Sequence, residues 1–205
     1  MSNMGDKKIV VLVSSGGTNL QALIDAGWAG RNKSGKITCV ISSSPDAFAL
    51  KRAEKAGIKT RVLNRKLYDN SADYSKELLE TLKDESPDLI VFAGFMVILE
   101  EDVCKAFKNR MLNVHPSLIP KFCGEGMYGL KVHEAVLKSG ERQTGATVHL
   151  VTEVCDGGPV ILQKTVEVHE SDTPESLQKR VMEQAEQVIL PLAVELFCND
   201  KINIK

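Results

Sequence analysis

The sequence carries no surplus of positive charge. Its 26 Lys and Arg stand against 27 Asp and Glu, a formal net charge of -1 over 205 residues. A chain so balanced has little in bulk to hold a nucleic-acid backbone, so nucleic acid is not expected as a partner. A cysteine framework is also missing. Cys39, Cys104, Cys123, Cys155 and Cys198 are odd in number and show no C-x-x-C spacing. Free thiols in a reducing compartment are expected, rather than disulfides or a structural zinc site. No apolar run reaches the length of a membrane span, and residues 1–7 lack the apolar segment of a secretory signal. Linkers, repeats and low-complexity stretches are absent too. The expectation is a cytoplasmic protein without a membrane partner, built as one domain over 1–205 with a flexible start at 1–7. What is present is ordinary: 43% hydrophobic and 26% charged residues, in a chain long enough to bury a substantial core.

Strand and helix signals alternate along this chain. Lys8 to Ser14 is a β-branched run broken by Ser14-Ser15-Gly16-Gly17-Thr18-Asn19, after which Leu20, Leu23 and Ile24 recur at helical spacing. Lys36 to Ser43 predicts a second strand, Asp46 to Ala56 a helix ended by Gly57, and Ile58 to Leu63 a third strand. Tyr74 to Lys83 is spaced as a helix, and Asp88 to Gly94 is an apolar run suited to a strand buried on both faces. Leu99 to Phe107 predicts another helix, leading to a strand that ends at Asn113-Val114-His115-Pro116. Residues 122–128 read as a glycine-rich irregular loop and Val132 to Leu137 as a helix stopped at Ser139-Gly140. Gly145 to Thr152 and Pro159 to Val168 form a strand pair joined through Asp156-Gly157-Gly158. The last helix runs from Pro174, capped by Thr173, to about Phe197. The sum is an α/β fold, a Rossmann-like and mostly parallel sheet with helices on both faces and an antiparallel C-terminal edge. Ligands then belong at the carboxyl ends of the strands, where residues 14–19, 94–99, 113–116 and 153–158 fall.

Asn113-Val114-His115-Pro116-Ser117-Leu118-Ile119-Pro120 pairs chemistry with rigidity. In an extended chain Asn113 and His115 project to one side and Val114 to the other, while the two prolines restrict the turn that follows. A crowded turn whose Asn and His merely satisfy backbone groups is the competing account. The turn from Ser14 to Asn19 offers free N–H groups at a helix N-terminus, suited to a phosphate, with Gly17, Thr18 and Asn19 as its binding residues. It matches neither G-x-G-x-x-G nor G-x-x-x-x-G-K-[ST], so a dinucleotide or nucleoside triphosphate is not indicated. A plain strand-to-helix turn is the alternative. Ala93 to Leu99 is apolar where a polar loop is the rule, which suits either a pocket wall for a flat ligand or packing under another loop. Asp156, ahead of two glycines and a proline, makes a turn by itself. Should its carboxylate reach His115, it would raise the imidazole pKa and keep the ring protonated near neutrality.

Together, Val10-Val11-Leu12-Val13-Ser14, Gly17-Thr18-Asn19-Leu20-Gln21, Ala93-Gly94-Phe95-Met96, Asn113 to Pro120, Gly145-Ala146-Thr147-Val148-His149 and Asp156-Gly157-Gly158-Pro159-Val160 resemble the folate-dependent formyltransferases, and within them the phosphoribosylglycinamide formyltransferase family. The resemblance extends over nearly the whole chain. It implies transfer of a formyl group from 10-formyltetrahydrofolate, as co-substrate, to the glycine amine of 5'-phosphoribosylglycinamide in purine synthesis, without metal. It further implies that Asn113 and protonated His115 stabilise a tetrahedral intermediate and that Asp156 tunes His115. Gly17, Thr18 and Asn19 would hold the substrate phosphate and Glu186 the nucleotide. The pteridine would lie against Met96, Val97, Ile98, Leu99 and Asn113. Partners are then small molecules, and the chain is a monomer or homodimer.

Some residues depart from the family's pattern. Val97 stands where the family often has Arg, and Ser71 where it often has a basic residue, both on the side of the folate's acidic tail. The loop from Phe122 to Tyr128 differs from the commoner short form. His133 and His149 either border the active site or are structural, the structural reading being preferred for each, and His169 has no role. Methionyl-tRNA formyltransferase and formyltetrahydrofolate hydrolase share the Asn, His and Asp set, but usually with an additional domain for which this sequence shows no counterpart. A non-catalytic nucleotide-binding module is the rival from another class, and it predicts no convergence of Asn113, His115 and Asp156.

Overall fold

Lys7–Val13 (β1) is a β-branched run with Ile9, Val11 and Val13 in one buried apolar cluster and Val10 and Leu12 in another. Such a strand belongs in the middle of a sheet covered on both sides. In a computed structural model, which describes residues 6–30 and 34–202, β1 pairs in parallel with Gly35–Ser42 (β2) and Leu89–Phe92 (β4). Lys59–Val62 (β3) extends the sheet beyond β2. On the other side follow the parallel Met111–His115 (β5) and the antiparallel Gln143–Leu150 (β6) and Val160–Glu167 (β7). The described residues thus form a sheet in the order β3-β2-β1-β4-β5-β6-β7. This is the expected α/β architecture, antiparallel edge included. The winding reverses between β1 and β4, and the crevice at the carboxyl ends of such a pair is the usual place for a ligand.

The α-helices among the described residues are Thr18–Leu23 (α1), Phe48–Lys55 (α2), Ser71–Glu85 (α3), Glu101–Ala106 (α4), Leu130–Ser139 (α5), Pro174–Val181 (α6) and Gln187–Cys198 (α7). One face of the sheet is covered by Leu20, Leu23, Ala53, Val136, Leu177 and Val194. The opposite face is covered by Tyr74, Leu78, Leu82 and Val103 from α3 and α4. Helix α6 starts as predicted. The Thr173 hydroxyl accepts from Ser176 N–H at 3.2 Å, and Thr173 N–H donates to Ser176 Oγ at 3.0 Å, with Pro174 in the first turn.

Two expectations are corrected. The sequence predicts one uninterrupted helix from Pro174 onward, whereas the backbone widens into a π-turn at Met182–Glu186 before α7 begins. Such turns recur at functional sites because they displace a side chain from the regular helical stripe. The flexible start expected over 1–7 does not reach its last residue, because Lys7 already opens β1; residues 1–5 lie outside the described residues. Among the described residues no helix is long and apolar enough to cross a membrane.

Candidate active site

At the carboxyl ends of β1, β4 and β5 lies a cleft of about 460 Å³, a volume suited to a small molecule. Its walls include Thr18 and Asn19, the 94–99 strip, Asn113, His115, Asp156 and Glu186. Two bonds join the β1 and β4 ends: Ser14 N–H donates to Gly94 O at 3.1 Å, and Met96 N–H to Ser14 Oγ at 2.9 Å.

Asn113 and His115 emerge on the same side of β5, and Asp156 meets both. Asn113 Nδ2 lies 3.5 Å from Asp156 Oδ1, and His115 Nδ1 lies 3.4 Å from Asp156 Oδ2. The predicted convergence is therefore present. The His115 ring is buried, and its Nε2 is 2.9 Å from Phe122 O. Burial lowers the His115 pKa, and the neighbouring Asp156 and Phe122 carbonyl offset this only in part. Asp156 at Nδ1 raises the ring as expected, and the Phe122 carbonyl at Nε2 acts with it, while desolvation acts the other way. Burial pushes the Asp156 carboxyl up, but His149, His115 and the Gly124 N–H together hold it below its ordinary value. Gly124 N–H donates to Asp156 Oδ2 at 3.0 Å. Phe122 and Asp156 both take φ of 53°, a region that non-glycine residues seldom occupy, so both supporting turns are tightly constrained.

The turn after His115 is held from β6. Thr147 Oγ1 donates to Ser117 O at 2.6 Å and accepts from Ile119 N–H at 3.1 Å. His149, for which the sequence favours a structural reading over a place at the border of the site, belongs to the polar cluster. It stands opposite Asn113 in the β5–β6 register, with Nε2 3.1 Å from Asn113 Nδ2 and 3.4 Å from Asp156 Oδ1. Its Nδ1 is 2.8 Å from Leu150 O, which fixes the ring. The antiparallel register would reveal this partner, and spacing within one strand does not. His133, also read as structural, is buried in the cleft wall with neither ring nitrogen hydrogen-bonded among the described residues, and burial lowers its pKa to about 4.

At the glycine turn, Gly17 has φ of 71°, and a Cβ there would lie 2.6 Å from Ala49 Cβ. Arg52, which sequence reasoning missed, donates to Gly16 O at 2.9 Å and to Gln21 Oε1 at 2.9 Å. Asn19 differs from expectation. Its amide is buried and donates to Glu186 Oε2 at 2.8 Å rather than standing free as a phosphate donor. Glu186, placed by the π-turn, is buried too, and desolvation raises its pKa to about 6 against the opposing Asn19 hydrogen bond. On the apolar strip, Val97 and Leu99 pack toward the core while Met96 and Ile98 remain exposed. Among the described residues no group of three or more His, Cys, Asp or Glu is placed to hold a metal ion.

Comparisons with known proteins show what the whole chain is similar to. The formyl transferase family model matches residues 7–194. Phosphoribosylglycinamide formyltransferase of Escherichia coli is 40% identical over 196 residues, spanning 96% of this chain and 89% of that protein. The trifunctional purine biosynthetic protein adenosine-3 of Bos taurus is 42% identical over 197 residues; the match takes in 96% of this chain but 19% of that longer protein. The crystal structure of glycinamide ribonucleotide transformylase 1 from Symbiobacterium toebii superposes with a TM-score of 0.90 at 36% identity, covering 100% of this chain and 96% of the other. Matched from the first strand into the last helix, and at this identity along nearly its whole length, the chain belongs to the formyl transferase family.

Proposed function

We propose that this chain transfers a formyl group from 10-formyltetrahydrofolate to the glycine amine of 5'-phosphoribosylglycinamide. The observation that carries this reading is the meeting of Asn113, His115 and Asp156 in one cleft, with the Asn19–Glu186 pair and the apolar 94–99 strip also in its walls. Attack of the amine on the formyl carbon forms a C–N bond and leaves a negatively charged oxygen, which the Asn113 amide stabilises by donation. The His115 ring, in its unprotonated form, takes the proton released by the attacking amine. Asp156 then steadies the resulting imidazolium. As the bond from the formyl carbon to the folate nitrogen breaks, that nitrogen receives the proton from His115. His149 and the Gly124 N–H keep Asp156 aimed at this pair.

Gly17, Thr18 and Asn19 serve the substrate phosphate through their backbone N–H groups, with Asn19 also holding Glu186 toward the nucleotide. The pteridine lies along Met96, Val97, Ile98 and Leu99, next to Asn113. The same reading treats the chain as a single domain, since one sheet draws its strands from both halves of the sequence.

The test follows the folate chromophore while formyl transfer runs with and without glycinamide ribonucleotide. Turnover that requires the amine supports this reading. Folate turnover without the amine identifies a hydrolase instead, and tight nucleotide binding without turnover identifies a non-catalytic module.

A further inference from the structure

Cys39, Cys104 and Cys198 are buried, whereas Cys155 is exposed and Cys123 half-buried. The two thiols that reach solvent sit on two loops that meet at the catalytic carboxylate. Cys155 Sγ lies 3.9 Å from Asp156 Oδ2, the same oxygen that accepts from Gly124 N–H at 3.0 Å, and Gly124 directly follows Cys123. Cys123 Sγ is 3.3 Å from Pro120 O, at the base of its loop. Cys123 also raises the cost of ionising Cys155, as a group close in space does. Bridging requires the two Cα atoms to come within about 7 Å. The loop carrying Cys123 has glycines at φ of 93° and 84°, Gly124 and Gly126, with nothing packed where a side chain would stand.

We propose that Cys123 and Cys155 are a modification site: hydrogen peroxide oxidises them to a disulfide that ties the 122–129 loop to the 153–158 loop and switches the cleft off. The Cys155 thiolate attacks the peroxide oxygen, the O–O bond breaks, and one water leaves as Cys155 becomes a sulfenic acid. The Cys123 thiolate then attacks that sulfur, an S–S bond forms, and the second water departs with the released proton. Two thiols are oxidised and one peroxide is reduced to two waters. Drawing Cys155 toward Cys123 displaces the neighbouring Asp156 from Gly124 and from His115. Both thiols are raised by burial and by the Asp156 carboxylate, so the thiolate fraction, and with it the oxidation rate, climbs about tenfold per pH unit through neutrality.

The linkage stands without the formyl-transfer reading, and only its effect on rate rests on that reading. The full chain is treated with hydrogen peroxide at pH 8, alkylated, and digested with trypsin without reduction. The expected product joins peptides 122–131 and 143–164, with two of the five thiols lost and transfer reduced at least tenfold until dithiothreitol restores it. Cys123→Ser retains its transfer activity through the peroxide treatment, and Cys155→Ser yields no joined peptide. Asp156→Asn, though defective in transfer, forms the joined peptide faster than the parent. Recovery of Cys123 fully alkylated beside a Cys155 sulfinic acid overturns the proposal, as does a joined peptide whose formation leaves transfer unchanged. A parent without transfer activity that still yields the joined peptide supports the thiol pair and counts against the transfer reading alone.

Discussion

Asn113 and His115 share a face because strand side chains two apart do so, and Asp156 is the carboxylate that both approach. If the Asn113 amide is the oxyanion donor, Asn113→Ala lowers kcat by about 10²–10³ with the KM for the nucleotide little changed, in steady-state assays. A variant that changes only KM would place Asn113 in ground-state binding instead. If His115 is the base, it acts only while unprotonated, so kcat/KM falls as pH drops through its pKa. Burial places that acid limb below the ordinary imidazole value of 6.5. Asp156→Asn removes the neighbour that raises the ring, so the limb moves to still lower pH while the plateau also drops. Profiles of parent and variant between pH 4 and 8 decide it, and an upward move of the limb contradicts the assignment. The Asn113–His115 pair is legible in the sequence, where spacing alone aligns it. The downward pull on the His115 pKa is not, because the extent of burial around the ring is a property of the folded cleft. His149 is hidden for a related reason, since only the pairing of β6 against β5 sets it opposite Asn113.

At the scale of elements, the strands and caps follow local rules. The β-branched run of β1, the Thr173 cap and the Gly140 stop after α5 are each fixed by a few neighbouring residues. The π-turn before α7 and the positive φ of Phe122 and Asp156 have no such local signature, because tertiary contacts impose them. Gly17 is the turn residue with the clearest demand. Both its φ of 71° and the 2.6 Å approach to Ala49 Cβ oppose a side chain, whereas nothing stands within 4 Å at Gly16. Gly17→Ala is expected to destabilise by about 1–3 kcal/mol and Gly16→Ala by less than about 0.5, as read by chemical denaturation. The π-turn's Glu186 makes a pH-dependent contribution of the opposite sign to a salt-bridged carboxylate. Its folded pKa of about 6 lies above the ordinary 4.5, so the folded state holds the proton more tightly and stability falls as pH rises between those values. Glu186→Gln removes this dependence. The variant should gain about 2 kcal/mol relative to the parent on going from pH 4 to pH 8. An equal difference at both pH values would mean that Glu186 ionises normally.

On the scale of the whole molecule, the cleft joins parts of the chain far apart in sequence. The glycine turn follows β1, the apolar strip follows β4, Asn113 and His115 end β5, and Glu186 comes from the turn between α6 and α7. The Asn19–Glu186 bond spans 167 positions, so a ligand seated on that pair ties the first helix to the last. Any ligand that binds only the folded chain raises stability by about 2.7 kcal/mol at a hundredfold excess over its Kd. For a domain of this length that corresponds to roughly 5–10 °C in Tm. Glycinamide ribonucleotide and a non-reactive folate analogue should each produce such a shift in the parent. If Glu186 holds the nucleotide, Glu186→Ala removes that contact but leaves the 94–99 strip, itself anchored through Ser14, in place. It should therefore lose most of the nucleotide's shift and keep the folate's, each compared with the unliganded variant by thermal denaturation. Equal loss of both shifts would mean that the two ligands share one subsite, and an undiminished nucleotide shift would remove Glu186 from substrate recognition.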